Sequence, residues 1–189
     1  MHLSRDVLKE KILSNKLVTD YADIDAQLTA NGFDMRLAAI VEIDDGGKLA
    51  VQKSDNRQPK LGKAFVLKGY EDRLQGYDIK EKVVVDKLSV KLERLKPYFV
   101  ITCERVNTPR SLMFHIAART SLFRFTQSAL LSTFGEAGYE GFLAFMLLPF
   151  LDSELELGAR FAQLCFTELR GEAHYGEQKQ TNHQGGKLF

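Results

Sequence analysis

Cysteine is scarce in this chain, with two among 189 residues, and proline occurs only four times. Two cysteines cannot form the disulfide framework that holds small secreted domains together. Cys103 lies in FVITCERV and Cys165 in FAQLCFTEL, apolar settings in which a thiol behaves as a small hydrophobe. Neither Cys-x-x-Cys nor His-Glu-x-x-His occurs, and the zinc-deaminase pairing of His-x-Glu with a later Pro-Cys-x-x-Cys is missing too. Glycine-rich phosphate-loop and dinucleotide fingerprints are absent. Charge of one sign is not in excess: 26 Lys and Arg against 25 Asp and Glu leave +1. Nothing therefore drives the whole surface toward nucleic acid or an anionic membrane, and any anion site must be local. The longest apolar run, Phe142 to Leu151, is about half of what a bilayer-spanning helix needs. The opening, MHLSRDVLKEKIL, carries charges where an export signal would carry its apolar region, which predicts a cytoplasmic protein.

What is present suits a single soluble domain over 1–189: 44% of residues are apolar and 27% charged, enough for one core under a charged surface. The start predicts a short helix. Ser4 stands at the N-cap place, Leu3 and Leu8 at staple positions, and Val7, Leu8, Ile12 and Leu17 form an apolar stripe that ends near Lys16. LTANGFDMRLAAIVEI has a turn signal at Asn31-Gly32 followed by a strand. Residues 44–82 are polar and turn-rich, an excursion with two short strands. From Val83 onward, short β-branched and aromatic runs follow one another with turns at Lys96-Pro97 and Thr108-Pro109, which predicts a mostly antiparallel β domain. The tail, GEAHYGEQKQTNHQGGKLF, is polar and glycine-rich, and alone it reads as a loose end.

Several stretches could carry chemistry. In RTSLFR, Arg119 and Arg124 bracket the Thr120-Ser121 hydroxyls. Arginine forks grip phosphate oxygens and hydroxyls add donors, so the stretch reads either as a polyphosphate cradle or as a solvated strand end. Glu136, in FGEAGYEG, is a general-base candidate for activating water, or simply the cap of a turn. Asp34 in GFDMRL reads as a phosphate or metal-water contact, or as a surface partner of Arg36. Gln163, a buried amide in FAQLCF, must find partners in backbone or ligand. Tyr175, Lys179, Asn182, His183 and Gln184 in the tail have the aromatic, cationic and amide character suited to closing over a nucleotide. His174 and His183 lack partners at metal-ligand spacing, so no protein metal site is read.

Taken in order, these stretches resemble the dCTP deaminase and dUTPase superfamily, in its dCTP-deaminase-like branch. LSRDVLKEKILSNKLV is similar to the family's starting helix, and ANGFDMRL resembles its Ser-Tyr-Asp-Leu-Arg-Leu motif. LKPYFVITCERVNTP is similar to the stretch that leads into the phosphate motif, and RTSLFR to Arg-Ser-Ser-Leu-Ala-Arg. GEAGYEGFLAF resembles Ile-Asp-Pro-Gly-Trp/Tyr-x-Gly with its following strand. LGARFAQLCF and HYGEQKQTNHQGG resemble the two closing motifs.

The resemblance implies a distorted β-barrel or jelly-roll-like domain, the dUTPase-like β-clip, assembled as a homotrimer. Its nucleotide sites would lie between subunits and be closed by the tail at 171–189. It implies dUTP or dCTP as ligand, with Mg²⁺ held mainly through the phosphates. Arg119, Thr120, Ser121 and Arg124 would hold the triphosphate, and the turn through Glu136 would lie against sugar and base. Gln163, Tyr175, Lys179, Asn182 and Gln184 would complete the binding set. Four positions depart from the pattern. Met146 stands where family deaminases carry the glutamate that shuttles protons at the pyrimidine C4, and Glu136 replaces an aspartate. Asn182 and His183 replace the tail's lysine and tyrosine. The resulting expectation is dUTP diphosphatase chemistry with Glu136 as the catalytic base that activates water. The alternatives are dCTP deamination, alone or bifunctional, and a regulatory homologue that binds nucleotide without turnover.

Overall fold

A computed structural model describes residues 1–177 and 183–189. The chain begins with α1 (Arg5–Asn15), β1 (Val18–Thr19), α2 (Ile24–Gln27) and β2 (Phe33–Asp45). β3 (Lys60–Leu67), β4 (Ile79–Val85), β5 (Ser89–Leu92), β6 (Tyr98–Asn107) and β7 (Leu112–Ala118) follow. Then come α3 (Thr120–Thr126), β8 (Ser128–Leu131), β9 (Phe134–Gly135), β10 (Glu140–Pro149), β11 (Ser153–Glu156) and β12 (Arg160–Glu168). The fold is mostly β, a curled half-barrel sheet with three short α-helices among the described residues. No helix among the described residues is long and apolar enough to cross a membrane.

Seven strands run in the order β8-β10-β6-β2-β12-β7-β9, with β1 added beside β6 and the β3–β4 pair beside β2. Every pairing is antiparallel except that of β3 with β4. β2 is the axis. Residues Leu37 to Val41 are buried on both faces, because Leu37 and Ile40 enter the main core while Ala39 and Val41 enter a second, smaller one. A register shift between Leu37 and Ala39 accompanies this change of side. The main core centres on Phe33, Tyr98, Phe114, Phe161 and Phe166, all fully buried. Each such ring buries a large apolar area, and together with the surrounding aliphatic side chains they offset chain entropy.

The expected N-terminal helix forms, and Leu8 and Ile12, one helical turn apart, are its buried face. Val7 points outward, off the stripe assigned to it. Ser4 occupies the N-cap position with extended backbone, but its hydroxyl makes no capping bond. The excursion at 44–82 holds β3 and the start of β4. It is tied down at the short turn Glu71–Leu74, where Arg73, 3% exposed, donates to the carbonyls of Thr102 and Cys103 on β6. The stretch after β7 leaves the strand pattern: Thr120–Thr126 is a helix, with Leu122 and Thr126 buried one turn apart, and Gln127 at φ 46° ends it.

A buried carboxylate holds the sheet's centre. Glu104, fully buried on β6, accepts from Arg36 N and Nε at 2.7 Å each and from Gln27 Nε2 at 2.8 Å. Burial pushes the Glu104 carboxyl upward while Arg36 pulls it back. This is the true partner of Arg36. The expected surface pair with Asp34 does not exist, because Asp34 turns inward and is 1% exposed.

Candidate functional site

Asp34 organises the first cluster of polar residues. Arg119, at the start of α3, places Nε 2.8 Å from Asp34 Oδ2, and Arg160 NH1 lies 3.5 Å from the same oxygen. Gln163, the register partner of Asp34 on β12, donates to Asp34 Oδ1 at 3.3 Å and to Thr29 Oγ1 at 2.9 Å. Its amide thus finds side-chain partners. Burial pushes the Asp34 carboxyl above its ordinary range, against the pull of Arg119 and Arg160. Arg119 also donates to Arg160 O at 2.9 Å. Thr120 and Arg124 are exposed and Ser121 is half-buried on α3, so these three present polar atoms outward from the end that Arg119 anchors.

A second group surrounds a cavity of about 580 Å³ bounded by β6, β7, β9, β10 and the tail. Its walls are largely apolar, with Phe99, Phe114, Ile116, Leu143, Phe145 and Met146 among them. Among the described residues, Glu136 is the sole carboxylate in the lining, beside Ser132 and Thr133, and His183 and Lys187 are the basic members. The turn carrying Glu136 is fixed at both ends. Gly138 N donates to Thr108 O, Thr108 N donates to Tyr139 O, and Tyr139 Oη donates to Phe142 O at 2.7 Å. Gly135 lies flat on the Phe114 ring; a Cβ there would come within 1.8 Å of Phe114 Cζ, so only glycine lets the turn approach. Burial raises the Tyr139 phenol, which stays a neutral donor.

The tail returns to this wall. Tyr175 N donates to Ala137 O at 2.7 Å, its ring meets Tyr139 edge-on at 5.9 Å, and Tyr175 lines the cavity. Gln184 Nε2 donates to Gly138 O at 3.2 Å, while its buried Oε1 has no partner among the described residues. The residues singled out from the sequence therefore fall into two groups within one chain. Arg119 and Gln163 meet around Asp34, with Thr120, Ser121 and Arg124 on the adjoining helix. Glu136 and Tyr175 line the cavity together with His183, Gln184 is bonded to the adjoining turn at Gly138 without lining it, and none of residues 119–124 lines it. Lys179 and Asn182 lie outside the described residues. Lys187 was missed: a lysine after two glycines near a chain end carries no signal until the fold returns it to the wall.

A family model described as dCTP deaminase-like matches residues 2–169, nearly the whole of the sheet just described. The chain belongs to the dCTP deaminase-like family. Among solved structures, 2'-deoxycytidine 5'-triphosphate deaminase from Agrobacterium tumefaciens is similar in fold, with a TM-score of 0.57 and 16% identity. That match covers 87% of this chain and 47% of the deaminase, so the chain spans about half the length of that relative. A mutant dUTPase of Staphylococcus bacteriophage 80alpha, solved with dUpNHpp, shares 18% identity at a TM-score of 0.40, over 50% of this chain and 77% of its own. A mutant dUTPase from phage phi11 of S. aureus, described with a structural Mg(II) ion, shares 16% identity at a TM-score of 0.40, over 49% and 76%. A search of curated proteins returns no match. Methionine 146 of this dCTP deaminase-like chain is half-buried on β10 and faces the cavity, between Phe99 on β6 and Leu131 on β8.

Proposed function

We propose that this family member hydrolyses dUTP to dUMP and pyrophosphate. The observation that carries the reading is the cavity wall itself: Met146 and Glu136 both line it, and Glu136 is its only carboxylate among the described residues. Deamination at the pyrimidine C4 needs a group at the base that accepts and returns protons, and a thioether does neither. Glu140, on the same strand, is exposed and is not part of the lining, and Glu154 and Glu156 belong to β11, which pairs with β5. Hydrolysis asks less of the chain: one carboxylate to orient a water, and cations for the phosphates.

In this reading the base and sugar occupy the apolar cavity, and Gln184, bonded to Gly138 O, belongs to the binding set by holding the turn beside it. Glu136 holds the water that attacks the α-phosphorus and takes its proton. The bond to the bridging oxygen breaks, and pyrophosphate leaves. Thr120, Ser121 and Arg124 bind phosphate oxygens, while Arg119, braced on Asp34, sets the position of α3. Because residues 119–124 lie off the cavity of their own chain, a complete site takes α3 from a second copy, and three copies close the ring. Exposed Phe123 and Phe125 on α3 support a copy-to-copy contact there. Lys179 and Asn182 remain part of the proposed binding set. The described residues contain no group of three His, Cys, Asp or Glu able to hold a metal. A magnesium ion fits such a site when held by phosphate oxygens, where it would supply charge neutralisation.

Incubation of the purified protein with dUTP and with dCTP, each with Mg²⁺, tests this when pyrophosphate and ammonia are followed together. Pyrophosphate from dUTP without ammonia from dCTP is the expected result. Ammonia would assign a proton shuttle elsewhere and overturn the reading. Binding without either product would make the chain a nucleotide-dependent regulator.

A further inference from the structure

The excursion and the end of the tail meet in a way the proposed chemistry does not use. Residues 184–189 run across β10 and onto the excursion: Gly185 N donates to Glu140 O at 2.8 Å, and Leu188 N donates to Tyr77 Oη at 2.7 Å. Leu188 is buried in the smaller core, and the Phe189 ring stands edge-on to Tyr77 at 6.0 Å and to Phe99 at 5.5 Å. Phe99 is also part of the cavity wall. Four residues before Tyr77 the excursion is anchored to the sheet, where Arg73 is bonded to two carbonyls of β6 and paired with Asp20 and Asp72.

Lys187 sits between these two fixed points, Gly185 and Leu188. Its side chain reaches the cavity edge, exposed, with no ion-pair partner among the described residues. Glu136 and His183 are the other titratable groups in that lining besides Tyr139 and Tyr175. A lysine whose backbone is held on both sides, beside an apolar chamber with one carboxylate among the described residues, suits a ligand with a ring at one end and a phosphate chain at the other. We propose that Lys187 binds the phosphate chain of the nucleotide, and that Tyr77, Phe99 and Phe189 form the seat that positions it. This rests on the proposed nucleotide site and gives the excursion a role, that of holding the tail's end in register with the cavity.

The test is equilibrium binding of the α,β-imido analogue of dUTP, of dUMP and of deoxyuridine to the full chain with Mg²⁺, for wild type, Lys187→Gln, Lys187→Arg and Phe189→Ala. Loss of one charge-assisted contact should weaken the imido analogue by about tenfold in Lys187→Gln, with deoxyuridine within about twofold and Lys187→Arg close to wild type. Phe189→Ala, which keeps the charge and removes the seat, should weaken the analogue in the same direction. Unchanged binding of the analogue by Lys187→Gln, in a chain whose wild type binds it and cleaves dUTP, overturns the assignment and leaves the hydrolase reading intact. Equal weakening of all three ligands also overturns it, since a phosphate contact cannot act on deoxyuridine. A wild type that neither binds the analogue nor cleaves dUTP brings down both.

Discussion

Arg119 Nε lies 2.8 Å from Asp34 Oδ2, joining the first residue of the RTSLFR stretch to the central strand of the sheet. The carboxylate is 1% exposed and the guanidinium 24%, so the pair is largely withdrawn from water. Removing one member of such a pair leaves the other charge buried without its partner. Arg119→Ala is expected to cost about 3 kcal/mol, read as a shift of the urea midpoint at constant slope. A change under about 0.5 kcal/mol would mean that Arg160 and Gln163 satisfy Asp34 without it.

The same carboxyl sets a pH dependence. Burial raises the Asp34 pKa above its ordinary 3.8, with Arg119 and Arg160 opposing. A carboxyl with a raised folded pKa holds its proton more tightly in the fold than in the unfolded chain. Its stabilising contribution is complete below the unfolded value and is lost as pH rises through the folded one. Compared with Asp34→Asn, the wild type should gain stability as pH falls from about 7 to about 4. The opposite slope in paired urea titrations would show that the arginines outweigh burial.

Glu136→Gln keeps the shape of the turn and removes the base. Hydrolysis of dUTP should fall by about 10²- to 10⁴-fold in kcat, while binding of the imido analogue stays within a few-fold. Equal losses in both would make Glu136 a binding residue.

Gly141 is where the tail meets β10. Its φ is +139°, and a Cβ there would lie 2.4 Å from Gly186 N and 2.5 Å from Gly185 C, backbone atoms that cannot swing aside. Gly141→Ala should release residues 184–189 while leaving the sheet folded. Hydrogen exchange at Gly185 and Leu188 would then accelerate, since the Gly185 amide is bonded to Glu140 O beside this contact and the Leu188 amide to Tyr77 Oη further along the same segment. Protection unchanged in the variant would mean that the tail is held by Leu188 and Phe189 alone.

Much of the sheet was legible because its signals are local. β-Branched and aromatic runs broken by Lys96-Pro97 and Thr108-Pro109 became β6 and β7, and the Leu8–Ile12 pair became the buried face of α1. Even in the polar excursion the two short strands are present, as β3 and β4. Where local and tertiary preferences differ, the reading failed for an identifiable reason. Thr120–Thr126 looks strand-like by composition, but Leu122 and Thr126 reach the core only with helical spacing. Asp34 and Arg36 look like a surface pair, yet a strand buried on both faces sends each charge to its own interior partner, Arg119 and Glu104.

The order of motifs along the chain determined the family and the mostly β architecture, because strand period, turn chemistry and short motifs are written in neighbouring residues. Only the tertiary structure decided how the candidate residues group. It put Arg119 with Gln163 around Asp34, Glu136 with Tyr175 at the cavity, Met146 on the cavity wall and Lys187 at its edge. Those groupings depend on contacts between residues far apart in sequence, such as Gly141 with Gly185 and Tyr77 with Leu188. Close packing alone selects such pairs, and neither partner's local sequence announces the other.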